Sequence, residues 1–231
     1  MSRFDGLVAS LGPSAWWKLN DPAGSATVAD SSGNGYTGTV YGGVTFGQPG
    51  PIAGGKAAAF DGTSGYIATT FQPTFNAITI LVWIDAIPAD FGLNTRVMAA
   101  GGAGSNGFDF YVRNGAGIYI ELGSSPYPNN GWSQDPGAGW ELWVLTWDGA
   151  TVRGYYQGVQ QVAVPGPSSA IACAAPLTIG GYSPGADLFP GSIGEVAIFP
   201  YALSAAQIAA LWSPPPLSSD GTGFPQLVYQ G

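Results

Sequence analysis

The segment Gly123–Gly139 carries the residues whose types and spacing best suit the binding of a sugar. It reads GSSPYPNNGWSQDPGAG, and its chemically useful members are Tyr127, Asn129, Asn130, Trp132, Gln134 and Asp135. Sugars present apolar ring faces together with many hydroxyl groups, and aromatic rings beside amides and a carboxylate match both features. Long structured loops also tend to carry function. We predict a carbohydrate-binding loop; in the alternative interpretation its rings pack on their own domain or in a subunit contact.

Composition excludes the common forms of side-chain catalysis. The chain has no histidine, which removes Ser-His-Asp and Cys-His catalysis and the commonest general base. Its one cysteine, Cys173, lies in an apolar run, so we expect it to be buried as a small hydrophobic residue. Zinc and redox metals lack their usual ligands. We therefore predict no catalytic residues and a non-enzymatic protein.

Charge is scarce and does not suit a nucleic acid or a membrane as partner. Charged residues make up 9% of the chain, against roughly 25% in an ordinary globular protein. The 6 basic residues are scattered, whereas phosphate binding needs them clustered. The first residues lack the apolar core of a signal peptide, and no run reaches the length of a membrane span. We expect no nucleic-acid binding, no membrane insertion and synthesis in the cytoplasm.

Short apolar runs between glycine and proline residues predict a protein built from β-strands. Every second residue is apolar in the runs 78–84, 108–112 and 118–122, which places each apolar set on one face of a strand. The run 142–147 is apolar on both faces and predicts a strand covered on both sides. Turn dipeptides on either side of 151–156 predict two consecutive hairpins. The pattern is typical of an all-β sandwich.

Two short helices are predicted at the ends of this β-rich region. Ser2 is placed to cap a turn that contains Phe4 and Val8, and Gly12-Pro13 follows it. Near the end, Ser204 and Gln207 have the spacing of a capping box, in which each side chain bonds to the other's backbone N–H. The second helix is expected to pack against the sandwich, whereas the first twelve residues are compatible with either a helix or an arm.

The composition changes after Trp212 and predicts a tail without a core of its own. Three consecutive prolines favour an extended segment, which is expected to be disordered unless something holds it. We divide the chain into a lead segment (1–12), one domain (13–212) and a C-terminal arm (213–231). The residues expected to anchor the arm on this subunit or a neighbour are Phe224, Leu227, Val228 and Tyr229.

Several segments occur in an order that is typical of one large family of β-sandwiches. They are Ala15–Leu19, Asp30–Gly35, Ala59–Ile67, Ile78–Asp85, Trp140–Gly149, Tyr155–Gly158 and Gly191–Phe199. Together they resemble the laminin G-like, concanavalin A-like jelly-roll superfamily over about residues 14–212. The resemblance implies an all-β, two-sheet antiparallel jelly-roll sandwich, here with short terminal helices. It also implies a mostly non-catalytic module that binds carbohydrates or proteins. Catalytic jelly-rolls carry a Glu-x-Asp-x-x-Glu-like pattern, which this chain lacks.

The resemblance also implies where a calcium ion would bind. The family's arrangement places the oxygen ligands Asp30, Asn34 and Glu195 near one another, and calcium takes about six to eight such oxygens. The family's late motif often reads Ile-Asp-Glu-Val, but Gly194 stands here in place of the aspartate. In the alternative interpretation, Asp30 and Asn34 shape a glycine turn through hydrogen bonds to the backbone. Calcium is the one cofactor that the sequence leaves open.

Two hypotheses about function follow. In the first, the chain is a virion structural protein, such as a capsid decoration, tail or appendage subunit, held in a homo-oligomer with other virion subunits. Similar modules occur in bacteriophage virion proteins, in which the lead into the Trp-containing strand resembles Leu7–Leu19. Such a subunit can also bind cell-surface glycan. In the alternative, the chain is a free carbohydrate-binding, lectin-like module, which family habit and the loop with Tyr127 and Trp132 favour.

Overall fold

The computed structural model describes residues 2–87, 94–101, 106–113, 117–123, 136–137, 139–182 and 185–212. These residues form two short helices, α1 (Arg3–Ser10) and α2 (Ala205–Trp212). The strands, in chain order, are β1 (Ala15–Trp17), β2 (Thr27–Val28), β3 (Gly38–Tyr41), β4 (Val44–Pro49), β5 (Lys56–Asp61), β6 (Tyr66–Thr69), β7 (Thr74–Phe75), β8 (Ile78–Ala86), β9 (Thr95–Ala100), β10 (Phe108–Arg113), β11 (Gly117–Leu122), β12 (Trp140–Trp147), β13 (Thr151–Tyr156), β14 (Val159–Pro165), β15 (Ile171–Ala172), β16 (Leu177–Ile179) and β17 (Pro190–Phe199).

Two large antiparallel sheets make up most of this structure. The eight-stranded sheet has the order β14-β13-β12-β8-β17-β5-β4, with β1 beside β17. The seven-stranded sheet has the order β11-β10-β9-β16-β6-β3-β2, and β15 and β7 form a small separate pair. The order is far from the sequence order in both sheets, as in sandwiches whose strands cross between sheets. The predicted all-β, two-sheet jelly-roll sandwich is confirmed.

The main core lies between the two sheets and is rich in large aromatic side chains. Trp17, Trp143, Trp147, Phe108 and Phe110 are all fully or almost fully buried there. Burying one such side chain contributes roughly 1.5–3 kcal/mol, which suits a chain with few charges. The predicted alternation is confirmed, because every second residue of β8, β10 and β11, from Ile78, Phe108 and Ile118 onward, points into this core.

Both helices cover the outer face of the eight-stranded sheet. Phe4 and Val8 of α1 and Ile208 and Leu211 of α2 form a second apolar cluster with outward residues of β8, β12 and β17. This explains why the run 142–147 is apolar on both faces, as predicted: one face meets the core and the other meets the helices. The helices thereby cover one outer face of the sandwich.

The predicted helix caps and hairpins are also confirmed. Ser2 and Asp5 form a reciprocal capping box at the start of α1. At the start of α2 the Gln207 backbone N–H donates to Ser204 Oγ at 3.3 Å, and the Ser204 N–H donates to the Gln207 side chain at 2.8 Å. Strands β12, β13 and β14 pair consecutively as two hairpins. Cys173 is a buried free thiol, as expected.

Candidate functional site

The outer face of the seven-stranded sheet carries a row of polar and aromatic side chains. Every second residue of its strands belongs to the core between the sheets, so the alternate side chains point outward. The outward members are Tyr41 of β3, Tyr66 of β6, Arg96 of β9, Asp109, Tyr111 and Arg113 of β10, and Tyr119 and Glu121 of β11. Together with Asp187, from the turn that follows β16, we call these residues the outer-face cluster.

Two stacked tyrosine pairs stand at the two ends of this cluster. Tyr41 and Tyr66 face each other across β3 and β6, with ring centroids 4.8 Å apart and planes 9° from parallel. Tyr111 and Tyr119 face each other across β10 and β11, with centroids 5.5 Å apart and planes 17° from parallel. Five strand intervals separate β3 from β11, which corresponds to about 24 Å. The row therefore has the length of a short oligosaccharide rather than of one sugar.

Arg96 lies between the tyrosine pairs and is held by two carboxylates. Its Nε and Nη2 atoms donate to Asp109 Oδ2 at 3.0 and 2.9 Å. On the other side, its Nη1 atom donates to the Asp187 carboxylate, and its backbone N–H donates to the Asp187 carbonyl at 2.7 Å. The guanidinium carbon lies 5.0 Å from the centre of the Tyr111 ring, within the range of a cation–π contact.

The ion pairs run from the interior to the surface. The Asp109 side chain is 2% exposed, that of Arg96 is 8% exposed and that of Asp187 is 45% exposed. Burial raises the pKa of Asp109 to about 6, although the charge of Arg96 acts against that rise. Burial by itself would lower the pKa of Arg96, but Asp109 and Asp187 outweigh it and hold that pKa above its ordinary value. Arg96 is therefore a permanent cation at the centre of the cluster.

Tyr111 and Glu121 extend the network along the sheet. The Tyr111 hydroxyl donates to Glu121 Oε1 at 3.1 Å. Burial, followed by the Glu121 charge and this hydrogen bond, raises the pKa of Tyr111. Tyr111 therefore stays a neutral hydrogen-bond donor at physiological pH. The cluster thus offers aromatic faces, fixed donors and carboxylate acceptors on one surface, which is the set of groups that holds a polar ring compound in one orientation.

Two carboxylates of the cluster are cross-strand neighbours, but their geometry does not suit glycosidase chemistry. Asp109 pairs directly with Glu121 across β10 and β11, which brings side chains within about 5.5 Å at Cβ. Glycoside hydrolysis needs both carboxyl groups to reach the scissile bond. Both oxygens of Asp109 are bonded to Arg96, and its side chain is 2% exposed. Asp109 is placed to hold Arg96 rather than to reach a substrate.

The other two glutamates lie in separate parts of the sandwich. Glu141 Oε1 accepts a hydrogen bond from the Tyr156 hydroxyl at 2.8 Å on the inner face of the eight-stranded sheet, and burial raises its pKa. Glu195 Oε2 accepts a hydrogen bond from the Trp16 indole at 2.8 Å, within the layer that the helices cover. The structure does not bring either of them to the outer-face cluster.

The three residues predicted to bind calcium lie around the start of β1. Asp30 accepts hydrogen bonds from the backbone N–H groups of Trp16, Ser32 and Tyr36 at 3.0, 2.9 and 2.9 Å. The side-chain amide of Asn34 donates to a backbone carbonyl at 2.9 Å. This is the bonding of the alternative interpretation, in which these residues shape a glycine turn. Glu195 contacts the same segment from the other side, through the Trp16 indole. The calcium site stays a prediction.

A cleft of about 330 Å³ opens at the rim beside this turn. Its aromatic walls include Tyr36, Phe71 and Phe75, and Gln72 and Thr74 lie at its edge. Tyr36 and Phe71 meet edge to face with centroids 4.9 Å apart. The residues that line this cleft include no charged side chain, in contrast to the outer-face cluster.

The loop and the arm predicted from the sequence lie outside the described residues. These predictions are Tyr127, Asn129, Asn130, Trp132, Gln134 and Asp135 for carbohydrate, and Phe224, Leu227, Val228 and Tyr229 for assembly. Within the described ranges, no group of three or more histidine, cysteine, aspartate or glutamate side chains is arranged to hold a metal ion. Among the helices in that part of the chain, none is long and apolar enough to cross a membrane.

Sequence reasoning missed the outer-face cluster. The alternation in β10 and β11 already separated Asp109 and Glu121 from the core residues. What it lacked was the pairing of the strands, which sets Arg96 beside Tyr111. A charged residue that alternates with buried aromatic residues on a strand is the signal that could have pointed to this face, since such strands usually place an uncharged polar side chain there.

The fold and the match to a family model agree on the class of protein to which this chain belongs. The two antiparallel sheets, with one outer face covered by helices and the other lined by polar and aromatic groups, define a jelly-roll sandwich. A model of the family Laminin_G_3, described as the concanavalin A-like lectin/glucanases superfamily, matches residues 61–209. The chain therefore belongs to this superfamily. No curated protein sequence matches the chain.

Two solved structures of similar fold contain a bound carbohydrate. Domain 4 of AbnA, an extracellular arabinanase from Geobacillus stearothermophilus solved in complex with arabinotriose, has a TM-score of 0.66 and 21% identity, covering 87% of this chain and 98% of that one. The ligand binding domain of botulinum neurotoxin serotype D, in complex with N-acetylneuraminic acid, has a TM-score of 0.64 and 11% identity, covering 91% of this chain and 52% of that one. The chain therefore spans about half of the toxin domain. At these identities the likeness shows the fold.

Proposed function

We propose that this chain is a non-catalytic carbohydrate-binding module and that its ligand lies on the outer-face cluster. One observation carries the proposal: two stacked tyrosine pairs lie in a row on the outer face of the seven-stranded sheet, where Tyr41 is 45% exposed and Tyr66 and Tyr119 are partly exposed, with the buried Arg96 held between them. An apolar sugar face packs on an aromatic ring, and its hydroxyls bond to guanidinium N–H groups, tyrosine hydroxyls and carboxylates. The arabinotriose and N-acetylneuraminic acid bound to the two structures of similar fold support the choice of a carbohydrate as ligand class.

Removing one aromatic ring from either end of the cluster is expected to weaken glycan binding without unfolding the protein. Tyr41 is 45% exposed and Tyr119 is half-buried, so neither ring is a core residue. We expect Tyr41→Ala and Tyr119→Ala each to lower the affinity for an oligosaccharide about tenfold, or about 1.4 kcal/mol. A glycan array finds the ligand, and titration calorimetry measures the two affinities.

Two further variants show which surface is responsible. Val159→Ala, on β14 of the other sheet, removes a residue that is 62% exposed and should leave the affinity unchanged. Trp132→Ala tests the loop predicted from the sequence. If Trp132→Ala abolishes binding while Tyr41→Ala and Tyr119→Ala do not, the ligand lies on the loop. If the wild-type protein binds nothing on a broad array, the carbohydrate proposal itself is wrong.

A virion structural role is the second proposal, and one edge of the eight-stranded sheet favours self-assembly. Strand β14 carries no charged side chain, and Val159 on it is 62% exposed. Sheets of monomeric proteins often protect such an edge with charges, prolines or bulges; β14 has no charge, although it ends at Pro165 and its pairing with β13 skips Gln161. If the full chain stays monomeric in light scattering at high concentration and its segment 213–231 is freely proteolysed, the assembly proposal fails.

A further inference from the structure

Asp187 is an exposed carboxylate that Arg96 holds in place. Its φ is 52°, in the left-handed region that aspartate and asparagine adopt more often than other non-glycine residues. Its carbonyl accepts the backbone N–H of Arg96 at 2.7 Å, and its carboxylate accepts Nη1 of the same residue. Arg96 therefore holds Asp187 through both main chain and side chain. This arrangement fixes a negative charge on the exposed side of the outer-face cluster.

This second carboxylate is not needed to neutralise Arg96. Asp109 already pairs with the guanidinium from the buried side, at 2.9 Å. Glu121 adds a further carboxylate next to Tyr111, and the exposed Arg113 is the second cation on this face. The cluster thus has two cations, Arg96 and Arg113, and three carboxylates, so its net charge is negative. The buried pair of Arg96 and Asp109 is neutral, so the net negative charge lies on the more exposed members of the cluster.

We infer that the outer-face cluster binds uncharged glycans, and that Asp187 is the specificity-determining residue that excludes glycans bearing a carboxylate or sulfate. This inference rests on the proposed function of the same surface. Asp187 occupies Nη1 of the nearly buried Arg96, so an anionic sugar would reach that cation only past the exposed charge of Asp187, and it would stand beside the like charge of Glu121. Like charges brought together across an interface are strongly unfavourable and suppress the wrong partner.

The fold alone does not decide whether the bound glycan is neutral or acidic, and this is why the charge of Asp187 matters. Structures of similar fold were solved with a neutral pentose oligosaccharide in one case and with the acidic N-acetylneuraminic acid in the other. The choice between the two chemistries must therefore come from side chains on this chain. Asp187 is the exposed charged residue that contacts the central cation directly, so it is the residue placed to make that choice.

Asp187→Asn tests the inference with little disturbance of the turn. Asparagine has the same shape, tolerates a positive φ and still offers a carbonyl oxygen to Nη1, while the charge is removed. The probes are one set of oligosaccharides, each in a neutral form and in a form capped with a uronic or sialic acid, measured by calorimetry. We expect the wild-type protein to favour the neutral forms by at least about tenfold, and D187N to reduce that preference to about twofold.

Asp148→Asn is the matched control. Asp148 pairs with Nη1 of Arg153 at 2.6 Å on the β12–β13 hairpin, so D148N removes the same charge from the same kind of pair outside the cluster. It should leave the preference unchanged. Raised salt should narrow the wild-type preference, because the excluded charges are exposed.

The outcomes distinguish a failure of this inference from a failure of the proposed carbohydrate-binding function. The wild-type protein could bind neutral and acidic forms equally, and Tyr119→Ala could abolish both. That result overturns the inference and leaves the carbohydrate function standing. A preference that is the same in D187N and in the wild-type protein also overturns it. If no glycan of either kind binds, the proposed function and this inference fall together.

Discussion

Arg96→Met is expected to lower the free energy of unfolding by about 3–5 kcal/mol, the usual cost of breaking a buried ion pair from one side. Methionine replaces the apolar stem of arginine, so packing changes little. What changes is Asp109, whose side chain is 2% exposed and whose carboxylate would lose both of its donors from Arg96. Equilibrium unfolding in urea at pH 7 measures the loss.

The penalty of Arg96→Met should shrink as the pH falls. Asp109 already has its pKa raised to about 6 in the folded protein. A group with a raised pKa in the folded state stabilises the fold at low pH, and that contribution is lost as the pH rises through the folded value. Without Arg96 the pKa of Asp109 rises further. At pH 4 the folded variant therefore contains a protonated, uncharged Asp109. The difference between variant and wild type is therefore expected to be largest at pH 7 to 8.

A double variant and a surface pair serve as controls. Arg96→Met with Asp109→Asn removes both charges, so most of the lost stability should return, and the pair should show a coupling of several kcal/mol in a double-mutant cycle. Arg153→Met breaks the surface pair with Asp148, whose side chains are 32% and 37% exposed, and should cost less than about 1 kcal/mol. If Arg96→Met costs no more than Arg153→Met, the Arg96–Asp109 pair is not a buried pair in solution.

Apolar periodicity makes most of this fold predictable from the amino-acid sequence. The alternation of residues 78–84 and 108–112 predicts which faces enter the core, and the doubly apolar run 142–147 predicts a strand between two layers. The caps at Ser2 and Ser204 follow from spacing within three residues. These features are local, since each depends on side chains a few positions apart along one element.

The candidate site depends on contacts that local patterns do not contain. Arg96, Asp109 and Asp187 come from two strands and a turn, and they meet because β9 pairs with both β10 and β16. The irregular register between β9 and β10, at Phe110 and Tyr111, sets Arg96 opposite Tyr111. A one-residue change of register would turn these side chains to the opposite face. The sequence favours the aromatic loop instead, because aromatic and amide residues that are adjacent in sequence are visible without a register.

Glu195→Gln is expected to stabilise the protein at alkaline pH by up to about 3 kcal/mol, because the raised pKa of Glu195 makes its ionisation in the folded state costly. Burial raises the pKa of Glu195 from 4.5 to about 7, although the Trp16 hydrogen bond acts against the rise. The charged groups facing Glu195 are Asp5 of α1, which raises the pKa further, and Lys18, which lowers it. The side chain lies in the layer beneath the helices, where an ionised carboxylate is costly.

The sign follows from the direction of that shift. Because the folded pKa lies above the unfolded one, Glu195 stabilises the fold fully below about pH 4.5, and this contribution is lost as the pH rises through about 7. Glutamine keeps an oxygen that accepts the Trp16 indole N–H, at 2.8 Å in the wild-type protein, and never ionises. The variant and the wild type should therefore be equally stable at pH 4, and the variant should be more stable at pH 8.

The difference between the two proteins isolates this one group. Asp109 also has a raised pKa and makes the wild-type stability fall over a similar pH range, so the pH profile of a single protein cannot assign the effect. Subtracting the two unfolding free energies at each pH cancels Asp109, because it is present in both. A Glu195→Gln difference that does not change between pH 4 and pH 8 would mean that this carboxylate is hydrated in solution, and that the layer between α1 and the eight-stranded sheet admits water.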